Sequence, residues 1–408
     1  MQKKLINLGL MLSPFVVWAG MEMRTAKEVA AIAIALALGL FALYSGTLKK
    51  FRNYWILAFV GFFLVSMFFA PQFGFLLSFR EGMKITLLSN RSISGVWAFK
   101  PFAYALIYLL MLIAISSESF TFKELKKTLT VMVFAGFIMS LYIYIQAAGL
   151  DQFFALQDTN QARNATKGLL GGFIGQPTTC APFIAMLVPI ALYLKRYFFT
   201  LCMIIAVFMI QSDVAIAGMI IGTLGYMCIS GRKVNRVIGI SVIILTLVAG
   251  VYGTHRYKDF NIQKFMTSRA NGRFSAWKIM YEDYIGPIKG KKATVTGFGP
   301  GAFKYTHSIR KNNNWQEAHS EPLELLYNFG IVGLSLFILA LWKMISLVCE
   351  KLSFHYIDEY VLSLLGGLLG ILVCSLGSFP FHIAPTMFYT VVILGLIHNE
   401  NILGGTTL

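Results

Sequence analysis

The sequence predicts an all-α integral membrane protein with about twelve transmembrane helices and one large extracytoplasmic loop. Of its 408 residues, 57% are hydrophobic and only 13% are charged, whereas soluble domains average about 25% charged residues. The apolar residues form runs close to the ~20 residues that a helix needs to cross a bilayer. One long polar stretch, residues 269–334, interrupts these runs. We expect the chemistry of the protein to lie in that stretch.

The predicted spans follow one another along the chain with short polar connections. They cover residues 5–21, 28–48, 54–72, 96–116, 129–150, 179–194, 197–212, 214–230, 236–252, 323–348, 359–378 and 382–398. Three regions result: helices 1–9 in residues 1–252, the large loop in 253–322, and the last three helices in 323–408. Pro182 and Pro189 interrupt the sixth span, and interrupted membrane helices are typical of cavity walls.

Basic residues in alternate connections predict the orientation. Lys3, Lys49, Lys123, Lys195 and Arg232 lie in every second connection, and short loops rich in Lys and Arg face the cytoplasm. Both ends of the chain are therefore predicted to be cytoplasmic, with residues 253–322 outside.

Charge and cysteine usage narrow the possible partners. The net charge is +17, and the basic residues lie in loops between apolar runs. That pattern favours anionic lipid or a phosphate-bearing substrate over nucleic acid. None of the five cysteines belongs to a CxxC pair or a Cys/His cluster, so neither a disulfide framework nor a metal site is predicted. No cofactor is expected.

The large loop is strongly basic. Residues 253–322 hold twelve Lys or Arg against five Asp or Glu, a net +7. The planar arginine fork pairs bidentately with phosphate oxygens, so several arginines suit a diphosphate. The alternative is a solvated loop that is attracted to anionic lipid.

Three shorter features are candidate parts of a site. His319 directly precedes a predicted helix start at Glu321-Pro322, where an imidazole could take a proton from a hydroxyl; the alternative is a surface histidine. Residues 297–301 form a glycine-rich turn that suits an anion or is a plain turn. Asp213 lies at an outward span junction, as a functional acid or as a residue of the headgroup layer.

Helical periodicity also appears within the polar stretch. Phe274, Trp277, Tyr281 and Tyr284 recur at spacings of three and four residues, which predicts one apolar face of a helix. The amphipathic pattern is typical of a helix on a membrane surface.

Three sequence blocks together resemble the O-antigen ligase and O-antigen polymerase superfamily of bacterial membrane glycosyltransferases. They are Gly-Arg-Phe-Ser-Ala-Trp at 272–277, Gly-Phe-Gly-Pro-Gly-Ala-Phe at 297–303, and Ala-His-Ser-Glu-Pro-Leu-Glu-Leu-Leu-Tyr-Asn-Phe-Gly at 318–330. The segment 172–181 is similar to a further Gly…Asn-Pro-Asn block of that family. The resemblance covers about residues 170–334.

The resemblance implies a GT-C-like enzyme of the bacterial inner membrane with its active site facing the periplasm. Such enzymes move a glycan from undecaprenyl diphosphate to an acceptor hydroxyl, without metal and with inversion, in the synthesis of lipopolysaccharide or other surface polysaccharides. The acceptor is lipid A–core in a ligase and another lipid-linked repeat unit in a polymerase.

The resemblance also implies roles for individual residues. His319 would activate the acceptor hydroxyl and Arg273 would bind the diphosphate. The family often has Ser-Arg where this chain has Ser212-Asp213, so the missing positive charge must come from elsewhere. The remaining candidates for substrate binding are Arg269, Arg163, Lys304, Arg310, Asp213 and Glu321.

Two other functions compete with glycosyl transfer. A flippase or transporter for lipid-linked oligosaccharides would also need a basic cavity, but transporters tend to carry internal repeats, and none is found here. The second alternative is a non-catalytic scaffold of the envelope assembly machinery.

Overall fold

The structure of the protein is a computed structural model. It describes residues 2–15, 23–46, 54–69, 96–151, 170–230, 277–278, 280–281, 295–299, 303, 318–352 and 359–399. The predicted span at 236–252 and most of the predicted loop at 253–322 lie outside these residues.

Every regular element in the described ranges is a helix, and no strand occurs there. The α-helices are α1 (Gln2–Leu12), α2 (Met23–Tyr44), α3 (Tyr54–Phe69), α4 (Val96–Ser116), α5 (Phe122–Ala147), α6 (Pro177–Ala185), α7 (Val188–Tyr193), α8 (Tyr197–Ile210), α9 (Asp213–Ile229), α10 (Glu321–Leu352), α11 (Glu359–Ser375) and α12 (Ala384–Ile397). Short 3₁₀ turns occur at Gly172–Ile174 and Pro380–His382.

Within the described ranges, parts of three helices are long and apolar enough to cross a membrane. They are Ala26–Tyr44 of α2, Phe122–Ala147 of α5 and Glu321–Lys343 of α10. Shorter apolar helices coincide with predicted spans elsewhere, for example Tyr197–Ile210 and Ala384–Ile397. The all-helical, membrane-type architecture is therefore confirmed for the described ranges, while the count of about twelve spans and the large extracytoplasmic loop stay predictions.

The sixth predicted span is broken into α6 and α7. Pro189 lies in the first turn of α7 and has no N–H to donate to the carbonyl of Ala185 one turn earlier, so a continuous helix is disfavoured here. The entry to α6 also matches its sequence. Gly175 takes the left-handed conformation (φ +90°) and Pro177 is in the first turn of α6, where proline is tolerated.

The chain divides into two compact units. The first consists of Met1–Phe51, Ile107–Arg256 and Val348–Leu408, and the second of Arg52–Leu106 and Tyr257–Leu347. Each unit contains residues from distant parts of the sequence, so neither is a single stretch of the chain.

Glycines allow two helices of the first unit, α9 and α11, to pack closely. A Cβ at Gly222 of α9 would come closer than 3.0 Å to the carbonyl oxygen of Gly366 of α11, and a Cβ at Gly218 would stand 2.5 Å from the carbonyl oxygen of Gly370. Both helices carry glycines four residues apart on the facing side, the pattern that lets membrane helices approach backbone to backbone.

Polar side chains connect the ends of three helices in the first unit. The amide of Gln2 in α1 donates to the carbonyl oxygen of Ala114 in α4, at 2.7 Å. The amide of Asn399, just after α12, donates to the carbonyl oxygens of Ile115 (2.9 Å) and Glu118 (2.6 Å). Gln2 and Asn399 are both buried, so these bonds replace water as the partner of each side chain.

Aromatic contacts hold α3 against α10 in the second unit. The rings of Phe63 and Phe329 have centroids 4.6 Å apart, and Phe59 lies 5.7 Å from Phe337. Phe63 and Phe329 are both buried. The first turns of α10, which carry the predicted histidine block, therefore rest on a packed apolar surface.

Candidate functional site

The candidate site is built around the start of α10. The helix begins at Glu321 and is interrupted at Gly330, whose φ of +65° and ψ of −167° are not helical. This backbone conformation is essentially restricted to glycine. The interruption leaves carbonyl groups in the second turn without their usual partners four residues later, because the chain turns out of the helix.

Residues 297–299 supply donors to those carbonyl groups. The amide of Phe298 donates to the carbonyl oxygen of Tyr327 at 3.0 Å, and the amide of Gly299 donates to that of Asn328 at 2.8 Å. The Asn328 side-chain oxygen also accepts from the amide of Phe303, at 3.4 Å. The glycine-rich segment is thus bonded directly to the second turn of α10, which is a structural role for at least two of its amides.

Two glycines make this approach possible. A Cβ at Gly330 would stand 2.5 Å from the amide nitrogen of Gly297, and a Cβ at Gly297 would overlap the backbone of Asn328 and Phe329. Gly297 also has a positive φ of +74°, which favours glycine. The glycines at 297 and 330 are therefore required by backbone contact rather than by sequence preference alone.

An apolar cluster covers the same region. Met280, Phe298, Phe303, Ala318 and Tyr327 are buried together, with Trp277 and Leu323 packed against them. The rings of Phe298 and Tyr327 have centroids 4.6 Å apart. The cluster brings three separate pieces of the polar stretch, near residues 280, 300 and 318, onto one side of α10.

His319 lies at the N-terminal end of α10 in an unusual backbone conformation. Its φ is +53°, which costs a residue with a side chain roughly 1–2 kcal/mol. Histidine is among the residues that occupy this region more often than others. His319 is half-buried, and its Nδ1 is shielded from solvent. Non-glycine residues keep such conformations only where their surroundings fix them.

Two hydrogen bonds fix Ala318, the residue before His319. Its N–H donates to Oε2 of Glu324 at 3.0 Å, and its carbonyl oxygen accepts from Nε1 of Trp277 at 2.7 Å. Ala318 is fully buried. The bond to the carbonyl oxygen holds the peptide unit that leads into His319, and the bond to the N–H holds the peptide unit before it.

The residue after His319 is also fixed. The carbonyl oxygen of Ser320 accepts from the backbone N–H of Glu324 at 3.0 Å, which is the first helical bond of α10. Ser320, Glu321 and Glu324 are all buried. Two carboxyl groups in the first turn suit the partial positive charge of a helix N-terminus. Pro322 is tolerated there because an N–H at this position has no helical partner.

Asp213, predicted at a span junction, is the first residue of α9. It is exposed and follows a two-residue turn in which Gln211 has a positive φ of +58°. A junction between two helices is therefore confirmed at this position, while its place at the outward end of two spans stays a prediction. The carboxyl group lies in the first turn of α9, where the helix dipole favours an acid, and its role in substrate binding stays a prediction.

Of the other predicted site residues, His319 and Glu321 lie two positions apart in the sequence at the start of α10. The predicted cationic residues lie outside the described residues, namely Arg273, Arg269, Arg163, Lys304 and Arg310. Trp277 and Met280 of the predicted amphipathic segment are helical and packed, whereas Tyr281 is 65% exposed. The inward side of this segment therefore includes Met280 rather than Tyr281.

Sequence reasoning gave no role to Trp277, Glu324 or Asn328 in shaping the site. Glu324 and Asn328 are four residues apart and so share a helix face, and both are polar within an otherwise apolar helix start. A buried carboxyl or amide group at such a position needs a hydrogen-bond partner. This need for a partner was the sequence signal that could have identified Glu324 and Asn328 as part of the site. The sequence alone does not show which groups are their partners.

The described part of the site includes a histidine, a residue type that is suited to proton transfer. Among the described residues, no three His, Cys, Asp or Glu are grouped so that they could hold a metal ion. An imidazole at the N-terminal end of an apolar helix can accept a proton near neutral pH. The backbone on both sides of His319 is held by hydrogen bonds, and a placed imidazole is suited to general-base catalysis.

Comparison with known families gives one match. Residues 198–338 match the family described as O-antigen ligase, which confirms the resemblance to the O-antigen ligase and polymerase superfamily. The matched range includes α8, α9, Trp277, the glycine-rich segment, His319 and the broken start of α10. A search among curated proteins found no significant match.

Proposed function

We propose that this protein, whose residues 198–338 match the O-antigen ligase family, is a glycosyltransferase of the bacterial inner membrane with a periplasmic active site. Its donor is a glycan on undecaprenyl diphosphate and its acceptor is a hydroxyl group. The acceptor belongs to lipid A–core if the enzyme is a ligase, or to another lipid-linked repeat unit if it is a polymerase. The reaction uses no metal, cofactor or nucleotide sugar.

The observation that carries this proposal is the fixed position of His319. The residue lies at the end of an apolar helix, where a lipid-linked donor and a water-exposed acceptor can both reach. Its neighbours Ala318 and Ser320 are held by three hydrogen bonds. A histidine whose flanking residues are held in this way suits a reaction between a membrane lipid and a polar sugar.

In the proposed reaction, the imidazole of His319 takes the proton of the acceptor hydroxyl as its oxygen attacks the anomeric carbon of the donor. The new carbon–oxygen bond forms while the bond from that carbon to the diphosphate oxygen breaks. The bonding electrons leave with undecaprenyl diphosphate. Attack opposite the leaving group inverts the anomeric configuration.

The leaving diphosphate carries the negative charge that develops in this step, so the site needs cations. Arg273 fulfils this role in the proposal because a guanidinium can bond two phosphate oxygens at once. Arg269, Arg163, Lys304 and Arg310 supply further positive charge around the glycan or diphosphate. Asp213 and Glu321 are proposed to bind sugar hydroxyls, since carboxylates accept hydrogen bonds.

The direct test uses purified protein in liposomes with a synthetic lipid-linked glycan and a defined acceptor. His319→Gln keeps a polar side chain but cannot take the proton, so we expect transfer to fall by about 10²–10⁴-fold with donor affinity preserved. Transfer by the unmodified protein should persist in EDTA. The matched control is His382→Gln, because His382 is exposed and belongs to the other unit. His398 is a poorer control since it is buried.

The same assay separates the competing functions. A new glycosidic bond supports the transferase, whereas movement of the donor across the bilayer without bond formation would support a flippase. Neither event, with folded protein present, would support a scaffold. Full transfer by His319→Gln would remove His319 as the base, and Glu321, Glu317 and Asp213 would then be the next candidates to test for that role.

A further inference from the structure

We propose that Glu324 is a positioning residue for His319, acting through the hydrogen bond between its side chain and the backbone N–H of Ala318. The proposal rests on the proposed role of His319 as the base. It assigns to Glu324 no contact with donor or acceptor. Its role is to set the orientation of the imidazole at the start of α10.

The geometry links Glu324 to both neighbours of His319. Its side-chain Oε2 accepts from the N–H of Ala318 at 3.0 Å, and its own N–H donates to the carbonyl oxygen of Ser320 at 3.0 Å. The first bond needs a side-chain acceptor at this position, whereas the second forms with any residue in the helix. A substitution of the side chain therefore removes the first bond and leaves the second.

The bond from Glu324 matters because the backbone of His319 is in the left-handed conformation. With φ at +53°, His319 lies outside the backbone region that most residues with side chains prefer. If the Ala318 peptide is released, the chain can relax toward a more favourable conformation, and the imidazole then moves relative to the helix. A displacement of about 1 Å at a catalytic group can lower a rate by about 10²-fold.

Trp277 provides a second restraint on the same residue, through the peptide unit that joins Ala318 to His319. Its Nε1 donates to the carbonyl oxygen of Ala318 at 2.7 Å, so Ala318 is held from two directions by side chains far apart in sequence. Ala318 is fully buried, and water is not available to replace either bond. Glu324 and Trp277 thus form a two-sided restraint on Ala318, the residue directly before His319.

The burial of Glu324 indicates that a hydrogen-bond acceptor, rather than any side chain of similar size, is needed at this position. The Glu324 residue is only 6% exposed, and a carboxyl group at that depth is costly unless its oxygens accept hydrogen bonds. An apolar residue would pack there without that cost, but it could not accept from Ala318. Glutamine preserves the acceptor with nearly the same shape, which makes it the informative conservative variant.

The test compares Glu324→Ala with Glu324→Gln in the liposome transfer assay. We expect Glu324→Ala to lower kcat by about 10²-fold with the donor KM nearly unchanged, because the restraint on His319 is lost while the donor site remains. Glu324→Gln should retain kcat within about tenfold of the unsubstituted protein, since its amide oxygen still accepts. Glu28→Ala, a partly exposed glutamate of α2, is the matched control and should transfer normally.

A double-mutant cycle with His319→Gln distinguishes positioning from a general structural effect. If Glu324 acts only through His319, then Glu324→Ala should lower the residual rate of His319→Gln little or not at all. An equal loss in both backgrounds would overturn the proposal, as would an unimpaired Glu324→Ala. Full activity of His319→Gln would instead show that the proposed base is wrong, and the role of Glu324 would fall with it.

Trp277→Phe keeps the test independent of any folding defect at Glu324. Phenylalanine retains an aromatic ring for the cluster but lacks the donor to Ala318, so we expect a kcat loss in the same direction with donor KM preserved. Trp342→Phe is the matched control, because Trp342 is 66% exposed on α10. Equal transfer rates for these two variants would contradict the two-sided restraint.

Discussion

Gly297 and Gly330 are in such close contact that a Cβ on Gly330 would stand 2.5 Å from the amide nitrogen of Gly297. A Cβ on Gly297 would in turn overlap the backbone of Asn328 and Phe329. The contact lets Phe298 and Gly299 donate to the carbonyl groups of the second turn of α10. The glycine-rich segment and the interrupted helix are thus one structural element, and the histidine end of α10 depends on it.

Substitution of Gly330 tests this dependence. In Gly330→Ala the new Cβ would clash with Val295 and Gly297, and alanine disfavours φ +65° with ψ −167°. Such a strained position costs about 1–3 kcal/mol, before the clash is counted. We expect a lower melting temperature for the purified protein and reduced transfer. Gly297→Ala should behave in the same way.

The control for these variants is Gly61→Ala in α3, within the same unit. A Cβ at Gly61 meets nothing within 4 Å, and alanine is the better helix former by about 1 kcal/mol. Its melting temperature should be unchanged or higher. A normal melting temperature for Gly330→Ala would show that the backbone contact is dispensable.

A second prediction concerns the packing of α9 on α11. Gly222→Ala places a methyl group against the carbonyl oxygen of Gly366, which is backbone and cannot rotate away. Overpacking of this kind costs about 1–3 kcal/mol, so the melting temperature should fall. Gly225→Ala is the matched control in the same helix, because its methyl group meets only the end of the Leu369 side chain at 3.2 Å. Equal stability of the two variants would contradict the close approach.

A third prediction concerns Arg273, which is proposed to bind the donor diphosphate. Lysine keeps the positive charge but loses the planar fork, and the two are not interchangeable at a bidentate site. We expect both Arg273→Ala and Arg273→Lys to lose most transfer and to bind donor poorly, with normal amounts of protein in the membrane. Donor affinity and transfer rate, measured on the same preparations, check this.

Lys278→Ala provides the comparison for Arg273. Lys278 is an exposed basic residue of the same segment, and its loss lowers the charge of the loop by the same amount. It should transfer at nearly the normal rate. Full activity of the Arg273→Lys variant would show that Arg273 contributes only a positive charge and not bidentate binding of the diphosphate.

Local sequence rules predicted the helices well because their causes are local. The apolar runs that became α8 and α12 are visible in composition, and the break before Pro189 follows from its missing N–H. The entry to α6 through Gly175 and Pro177 follows from turn and first-turn preferences. Each of these features depends on residues within a few positions of one another.

The shape of the candidate site could not be predicted in this way. Nothing near Gly330 in the sequence marks it as a break, because a glycine in an apolar run also suits helix packing. The break is stabilised by Gly297 and Phe298, which are distant in the chain. Similarly, the partners of Ala318 are Trp277 and Glu324, and only the folded chain brings all three together. His319 and Glu321 were identified from the sequence, but the restraint on His319 was not.

The bonds from Gln2 and Asn399 to the end of α4 restrict the number of times that the chain can cross a membrane. Both residues bond to the short segment from Ala114 to Glu118, so they lie on the same side of any bilayer that the helices span. The stretch of chain between Gln2 and Asn399 therefore crosses such a bilayer an even number of times. Twelve crossings satisfy that condition and eleven or thirteen do not, and reporter groups placed beside Gln2 and Asn399 should respond alike to an impermeant quencher.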